Sequence, residues 1–365
     1  MTRTDVLVFV EDPGAANCVA GLGAALAQVG IASTLLASGS ACAHLASLAV
    51  PHVACSPAST ASGEIEAHNP RLVLCGTAEN RHSLGLALIA EARSRSLPSV
   101  GVVDGPSHAA DRFSGSTGRP DAYAPDRILV PDTATAASFR ALGFAPSRIV
   151  VAGHPQFDRL RAERARLDAE GRTAVRRRVL PDAGDGRPLV VFLSELSDGM
   201  APALYRRAPH WTLSGRGGSD LRTQVALEEF LDASAGRGWI RILRLHPKSR
   251  AEEYAAYARE LEAISSGGLP YDIVYAADLV VGMTTFLLVE AALLGRPTLA
   301  ILPDAAHAAW LPSIAAGITP VAHRRAEIAA ALDEGLENPP DRMAVDRAFP
   351  AGATRRVAEL VASML

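Results

Sequence analysis

The sequence predicts an α/β protein with two doubly wound parallel sheets. Short β-branched runs alternate with longer Ala/Leu-rich segments, the signature of βαβ units whose strands are covered by helices on both faces. The alternation breaks off in an arginine-rich stretch near the middle of the chain and then restarts. A length of 365 residues fits two such domains at roughly 150 residues each.

Residues 6–10 read as a buried strand, 15–29 as a helix and 31–36 as the next strand. Strand 72–75, helix 84–94 and strand 99–103 continue the pattern, and strand 126–130, helix 133–142 and strand 148–152 complete a first domain of residues 1–160. Residues 155–187 hold nine arginines and end in the turn-rich PDAGDGRP, which reads as a polar helix followed by a connection, so 161–187 is taken as the linker. The pattern restarts at 188–193 and runs through 221–235, 239–245, 251–264, 279–281, 285–294, 298–301 and the helix 325–336, giving a second domain of residues 188–348. The segment 349–365 follows a Pro-Ala-Gly turn and carries Val357, Leu360, Val361 and Leu365 at helical spacing, so it is expected as a helix packing back across the junction. Two such domains facing a central cleft place their chemistry in the loops just after strands.

Composition narrows the partners. The 36 Lys+Arg and 39 Asp+Glu leave a net charge of −3, which gives no global electrostatic reason to bind nucleic acid or anionic lipid. Cys18, Cys42, Cys55 and Cys75 form no CxxC pair and stand in no zinc-finger spacing, so they read as small hydrophobes in a reducing cytoplasm. The first residues lack the long apolar run of a signal peptide, and the longest apolar stretch is interrupted by Asp278, Glu290 and Arg296. A cytoplasmic protein without a membrane span is expected, with room for peripheral membrane association; oligomeric state is silent.

Several loops carry candidate chemistry. After the first strand comes Glu11-Asp12-Pro13-Gly14-Ala15-Ala16-Asn17, where Gly14 permits close approach and the helix start offers N–H groups. No GxGxxG fingerprint stands here, which disfavours a dinucleotide-dependent dehydrogenase. The simpler alternative is that Asp12 caps the helix and Glu11 is solvated. Asp104, at the carboxyl end of a strand and followed by Gly105-Pro106 and by His108 and Arg112, has the placement of a general base, or of a turn cap. His154, in Gly153-His154-Pro155, either faces the cleft from the hinge side or is a buried structural imidazole.

In the second domain, the Ser194-Glu195-Leu196-Ser197-Asp198-Gly199 loop has hydroxyls and amides suited to a phosphate, or is an ordinary βα turn. Residues 205–220, with Arg206, Arg207, His210 and Arg216 among glycines, read as a flexible basic stretch able to close over an anion, or as a solvated loop. The sharpest local signal is Arg244-Leu245-His246-Pro247-Lys248: Pro247 fixes the turn so that His246 and Lys248 can meet a phosphate. Gly282-Met283-Thr284-Thr285 places two hydroxyls and free N–H groups at a helix start, an anion site, with Glu290 further along positioned for a ribose diol. Thr284 as a plain N-cap and Glu290 as a solvated acid is the alternative.

Two α/β domains, the hinge GHP, the RLHPK loop and GMTTFLLVEAALLGRP together resemble the GT-B glycosyltransferase superfamily, with its two Rossmann-like domains. The nearest motif pattern is that of CMP-sugar (sialyl/Kdo-type) transferases, which carry an acid-acid-Gly motif, a His-Pro motif and a hydroxyl pair; Val103-Asp104-Gly105, His246-Pro247 and Thr284-Thr285 occur here in that order. Val103 replaces the first acid, and Thr-Thr stands where Ser-Ser or Ser-Thr is commoner. GHPQFD and Gly-Met-Thr-Thr also look like the non-hydrolysing UDP-N-acetylglucosamine 2-epimerases, although their Glu-Ala-Gly-Leu-Arg string is absent from residues 102–108. Glycerol- or ribitol-phosphate polymerases share a His-Pro-type loop as well.

The resemblance implies an inverting glycosyltransferase that moves a sugar from a nucleotide-sugar donor to an acceptor glycan, glycolipid or small molecule, in cell-surface polysaccharide or glycolipid synthesis. Asp104, with Glu11 or Asp12 as second choice, would deprotonate the acceptor in the first domain, where Gly14, Asn17, His108, Arg112 and His154 line the acceptor side. Ser194, Glu195, His246, Pro247, Lys248, Gly282, Thr284, Thr285 and Glu290 would hold the donor. No metal and no cofactor is expected, because a histidine, a lysine and a helix dipole supply the positive potential. A UDP-sugar 2-epimerase-like enzyme and a non-catalytic nucleotide-sugar binding protein are the alternatives.

Overall fold

The computed structural model describes residues 4–78, 80–106, 108–181, 186–196 and 202–365. The chain divides into two compact units, Met1–Arg159 with Phe349–Leu365, and Leu160–Ala348. Among the described residues no helix is long and apolar enough to cross a membrane, and all four cysteines are free.

The first unit is built on a seven-stranded parallel sheet: β1 (Val6–Val10), β2 (Ser33–Ala37), β3 (Val53–Ala54), β4 (Leu72–Gly76), β5 (Ser99–Val102), β6 (Arg127–Val130) and β7 (Ile149–Val151), in the order β3-β2-β1-β4-β5-β6-β7. Winding runs outward from β1 to β3 and then resumes on the other side at β4, so β1 and β4 flank the switch point where ligands bind in doubly wound sheets. Both strands are buried throughout. Their alternation sorts the core into two layers: Val6, Val8 and Val10 pack on one face, Leu7 and Phe9 on the other. The expected helix at 15–29 is two helices, Pro13–Val19 and Leu22–Gln28, with Gly21 at the break.

The C-terminal helix Ala353–Met364 belongs to this unit and inserts Val357, Ala358 and Val361 into the layer of Val6 and Val8. Asp158 fixes its start by accepting from the Gly352 N–H at 2.6 Å and the Thr354 N–H at 2.8 Å.

The second unit carries a six-stranded parallel sheet: β8 (Leu189–Leu193), β9 (Ile240–Arg244), β10 (Ala263–Ser265), β11 (Leu279–Gly282), β12 (Thr298–Ile301) and β13 (Val321–Ala322), in the order β10-β9-β8-β11-β12-β13. Its switch point lies between β8 and β11. The segment 251–264, read from sequence as one element, is a 3-10 run over Ala251–Glu260 followed by the edge strand β10.

Within the second unit, helices occupy most of the described part of the expected linker at 161–187. Helix Gln156–Glu170 is followed by helix Arg172–Val179, and the arginines that suggested a solvated connection bind acids of the sheet's own connections. Arg172 and Arg176 both pair with Asp278, whose carboxylate also accepts the Leu189 N–H at 2.7 Å, so this acid ties the helix pair to the first residues of β8. Arg178 pairs with Glu170 and Asp272. Residues 182–185 of the PDAGDGRP turn lie outside the described residues.

Asp278 yields a pH prediction. Burial opposes its charge, but the Leu189 N–H and the Arg172 guanidinium outweigh burial and hold the carboxyl below its ordinary range. A carboxyl depressed in the folded state contributes stability above its unfolded value, near 4, and loses it as pH falls through the folded value. Asp278→Asn is therefore expected to lower stability at neutral pH and to flatten the acid limb below pH about 4. Thermal unfolding against pH checks this, and parallel acid limbs for the two proteins would contradict it.

Candidate functional site

In the second unit the site grows from the residues that end β8. Ser194 and Glu195 are both buried, and each pins the loop of a neighbouring strand. The Ser194 hydroxyl accepts the His246 N–H at 2.8 Å, fixing the loop after β9. The Glu195 carboxylate accepts the N–H groups of Thr284 and Thr285 at 2.5 and 2.6 Å through Oε1, and the Thr284 hydroxyl at 2.9 Å through Oε2, fixing the turn after β11. The Thr223 hydroxyl donates to the Glu195 carbonyl at 3.0 Å, which ties in the helix Arg222–Ala233.

Arg222 supplies the countercharge. Its side chain is 1% exposed and donates to Glu195 Oε2 and, at 2.8 Å, to Thr284 Oγ1. The guanidinium carbon lies 5.3 Å from the ring centroids of both Tyr205 and Trp310. Its other terminal nitrogen is 3.0 Å from His307 Nδ1. A guanidinium can only donate, so His307 Nδ1 accepts and Nε2 carries the proton, 3.6 Å from Asp304 Oδ2. Trp310 stacks on His307 at 3.9 Å, and His210 Nε2 reaches Asp304 Oδ2 at 2.9 Å. Sequence reading missed Arg222, His307 and Trp310. The one visible trace was an arginine heading an otherwise apolar-faced helix.

His246 is half-buried, while Pro247 and Lys248 are exposed. The Lys248 N–H donates to His246 Nδ1 at 3.2 Å, which leaves the ring proton on Nε2. Burial, and then the Lys248 charge, lower its pKa to about 4, so at neutral pH the imidazole is an uncharged donor. Gly282 closes β11, and a Cβ there would meet Leu288 and Thr285 at 3.3 Å. Glu290 is buried on helix Leu287–Leu293, not solvated.

Two expectations change here. The Thr284 and Thr285 amides are not open to an anion, because Glu195 already takes both. Ser194 and Glu195 in turn hold protein loops, since a buried carboxylate satisfies the same N–H groups a phosphate would. Ser197, Asp198 and Gly199 lie outside the described residues. The basic stretch 205–220 is also committed: Arg206 pairs with Asp220, Arg207 donates to the carbonyls of Ser214 and Ser219, and Arg216 pairs with Asp232 and Glu260. Glu229 and Glu228 clamp its backbone through the N–H groups of Gly215 (2.8 Å) and Arg216 (2.6 Å). Gly215 is required there, for its φ is +55° and a Cβ would lie 2.3 Å from Glu228 Oε2.

In the first unit Asp104 follows β5. Its carboxylate lies against Gly14, where a Cβ would sit 2.0 Å from Oδ2, and Oδ1 is 2.9 Å from Arg112 Nη1. Arg112 is buried and donates to Thr77 Oγ1 at 3.3 Å, beside a small recess that Ser83 and Phe113 also line. Glu11 accepts from Asn80 Nδ2 at 2.6 Å. Asp12 stands at the N-cap position without its side chain making the capping bond. His108 is half-buried in a left-handed backbone conformation, φ 57°, and Ser107 lies outside the described residues.

One acceptor-side expectation is corrected. His154 is 2% exposed, stacks on Phe157 at 4.7 Å and donates from Nε2 to the Asp104 carbonyl at 3.0 Å. It fixes the backbone of Asp104 from the interior and does not face outward. Cys18 Sγ lies 3.6 Å from the same nitrogen, and burial pushes that thiol far up. Asn17 is engaged within its own unit, accepting from His44 Nε2 at 2.8 Å and Arg159 at 3.0 Å through Oδ1.

Burial lowers His44, His154, His246 and His307 each to about 4. A histidine so depressed binds its proton more readily in the unfolded chain, where its value is near 6.5. The contribution is full above that value and is lost as pH falls toward 4. Stability should therefore fall from pH 6.5 to 4. His154→Gln, which keeps a donor for the Asp104 carbonyl, should make that fall shallower by up to about 1.4 kcal/mol per pH unit. Denaturant unfolding across this range tests it, and superimposable slopes would contradict it.

No family model and no curated protein matches the chain. Solved structures do match it along its whole length. The UDP-GlcNAc 2-epimerase of Methanocaldococcus jannaschii is 13% identical with a TM-score of 0.70, covering 98% of this chain and 99% of its own. The UDP-GlcNAc 2-epimerase of Neisseria meningitidis, solved bound to UDP-GlcNAc, is 12% identical with a TM-score of 0.65, covering 98% of each chain. The glycotransferase of kitacinnamycin is 13% identical with a TM-score of 0.57, covering 100% of each chain. With its parallel sheets of seven and six strands, the chain thus has the two-domain, Rossmann-like GT-B fold.

Proposed function

We propose that the chain is a nucleotide-sugar enzyme that inverts carbon 2 of a UDP-linked amino sugar. The reading is supported by full-length likeness to UDP-GlcNAc 2-epimerases, one of them solved with UDP-GlcNAc bound. Within the chain, the observation that carries it is His246: an imidazole kept neutral, with its proton fixed on Nε2, in a loop beside Lys248. Breaking the sugar C1–O bond leaves negative charge on the departing diphosphate, and an N–H donor with an ammonium beside it stabilises that charge. The C2 hydrogen has no adjacent carbonyl to acidify it. Its removal is therefore coupled to departure of the diphosphate; a proton then returns to the opposite face of C2 as the diphosphate oxygen re-forms its bond to C1, which inverts the centre and restores the sugar nucleotide. Asp104, aligned by Arg112 and by its contact with Gly14, is the carboxylate assigned to that proton. The sugar nucleotide is substrate, and this reading assigns no cofactor.

Transfer to an acceptor hydroxyl is the second reading. It is favoured by residues 102–108, which read Val-Val-Asp-Gly-Pro-Ser-His in place of the epimerase string, and by the likeness to a glycotransferase. Asp104 would then deprotonate the acceptor, and the His246 loop would keep its role.

Incubation with UDP-GlcNAc in D2O without any acceptor separates the readings. Epimerisation predicts a second diastereomer with deuterium at C2 in the proton NMR spectrum. His246→Ala should slow its formation by about 100-fold or more while leaving the unfolding midpoint nearly unchanged. UDP release only when an acceptor is added would replace epimerisation with transfer. Binding without either reaction would leave a nucleotide-sugar binding protein.

A further inference from the structure

We infer that Arg222 is a positioning residue for the nucleotide-sugar loops of the second unit, acting through Glu195 to keep the Thr284 and Thr285 amides closed to the ligand's phosphates. This rests on the nucleotide-sugar reading above and assigns to that site a part that no sequence motif carries.

The Glu195 carboxylate, itself buried, receives two backbone N–H groups, one hydroxyl and one guanidinium. A carboxylate there needs a countercharge, and the fully buried Arg222 is the cation that meets it. The guanidinium is itself held on three sides: His307 Nδ1 accepts from one terminal nitrogen, Thr284 Oγ1 shares the other with Glu195, and the Tyr205 and Trp310 rings flank it. The planar fork reaches Glu195, Thr284 and His307 together, which an ammonium cannot do.

The consequence concerns ligand chemistry. With the turn amides saturated by an internal carboxylate, an incoming diphosphate has no vacant N–H at Thr284 or Thr285 and would meet a carboxylate of its own sign. Phosphate recognition then falls to the loop that Ser194 holds, through His246 Nε2–H and Lys248. Arg222 thereby decides which of the two loops binds phosphate.

Hydrogen exchange at single backbone amides of the full chain tests this, with UDP as the probe. In the wild type the Thr284 and Thr285 amides should be protected without ligand, and UDP should raise that protection less than twofold. Arg222→Met should speed exchange at these two amides at least tenfold while the Val280 and Val281 amides of β11 stay unchanged. Glu195→Gln added to Arg222→Met should restore protection, because the glutamine oxygen still accepts both N–H groups and no buried charge is left unpaired. A general loss of structure would not be rescued in that way.

The proposal is overturned if UDP strongly protects the two amides, if Arg222→Met leaves them unchanged or loosens β11 equally, or if Glu195→Gln gives no rescue. Should Arg222→Met not fold, Arg222→Lys, which keeps the charge but cannot reach all three partners, takes its place with the same expected and contrary results. A wild type that fails to bind UDP would sink the nucleotide reading, while exchange in the unliganded variants would still report on Arg222.

Discussion

The second unit is organised by one buried carboxylate and the serine before it. Parallel strands at a switch point deliver their loops to the same sheet edge but leave each loop free to choose its own conformation. Ser194 and Glu195 remove that freedom. Standing at the end of β8, between β9 and β11, they hold the His246 loop through one hydroxyl and the Thr284–Thr285 turn through one carboxylate. Arg222 makes the arrangement tolerable, since a buried carboxylate without a partner would cost several kcal/mol. His307, with its Nδ1 turned to Arg222, orients the guanidinium in turn.

The first unit solves a similar problem from the interior. Asp104 is set by contacts that leave little room: the missing side chain of Gly14, the Arg112 guanidinium, and His154 donating to its carbonyl from below. Burial keeps His154 uncharged, so it supplies a directed hydrogen bond without bringing a second positive charge to the carboxylate. In both units, groups that sequence reading would assign to a ligand are partly consumed in holding the groups that remain available.

The alternation of buried strands with helices was legible because parallel strands covered on both faces are continuous apolar runs; 6–10, 72–75, 188–193 and 279–281 could hardly be anything else. Two of the edge strands were not, since Val53–Ala54 and Val321–Ala322 are too short to show a pattern. The arginines of 159–178 looked solvated because their partners Asp272 and Asp278 lie about a hundred residues away. The same distance hid the work of Glu195, whose partners Arg222 and Thr284 are 27 and 89 residues further on. The loops after β8, β9 and β11 were legible as places, while the division of labour among them was a matter of tertiary hydrogen bonding.

The His246 loop is proposed to present a neutral donor to a nucleotide's phosphates. Nitrogen NMR of protein labelled at histidine ring nitrogens tests it most directly, at neutral pH, with His246→Gln to assign the signal. A neutral ring protonated at Nε2, whose Nε2 resonance moves on titration with UDP, is the expected result. A charged ring, a proton on Nδ1, or a resonance indifferent to UDP at saturating concentration would contradict it.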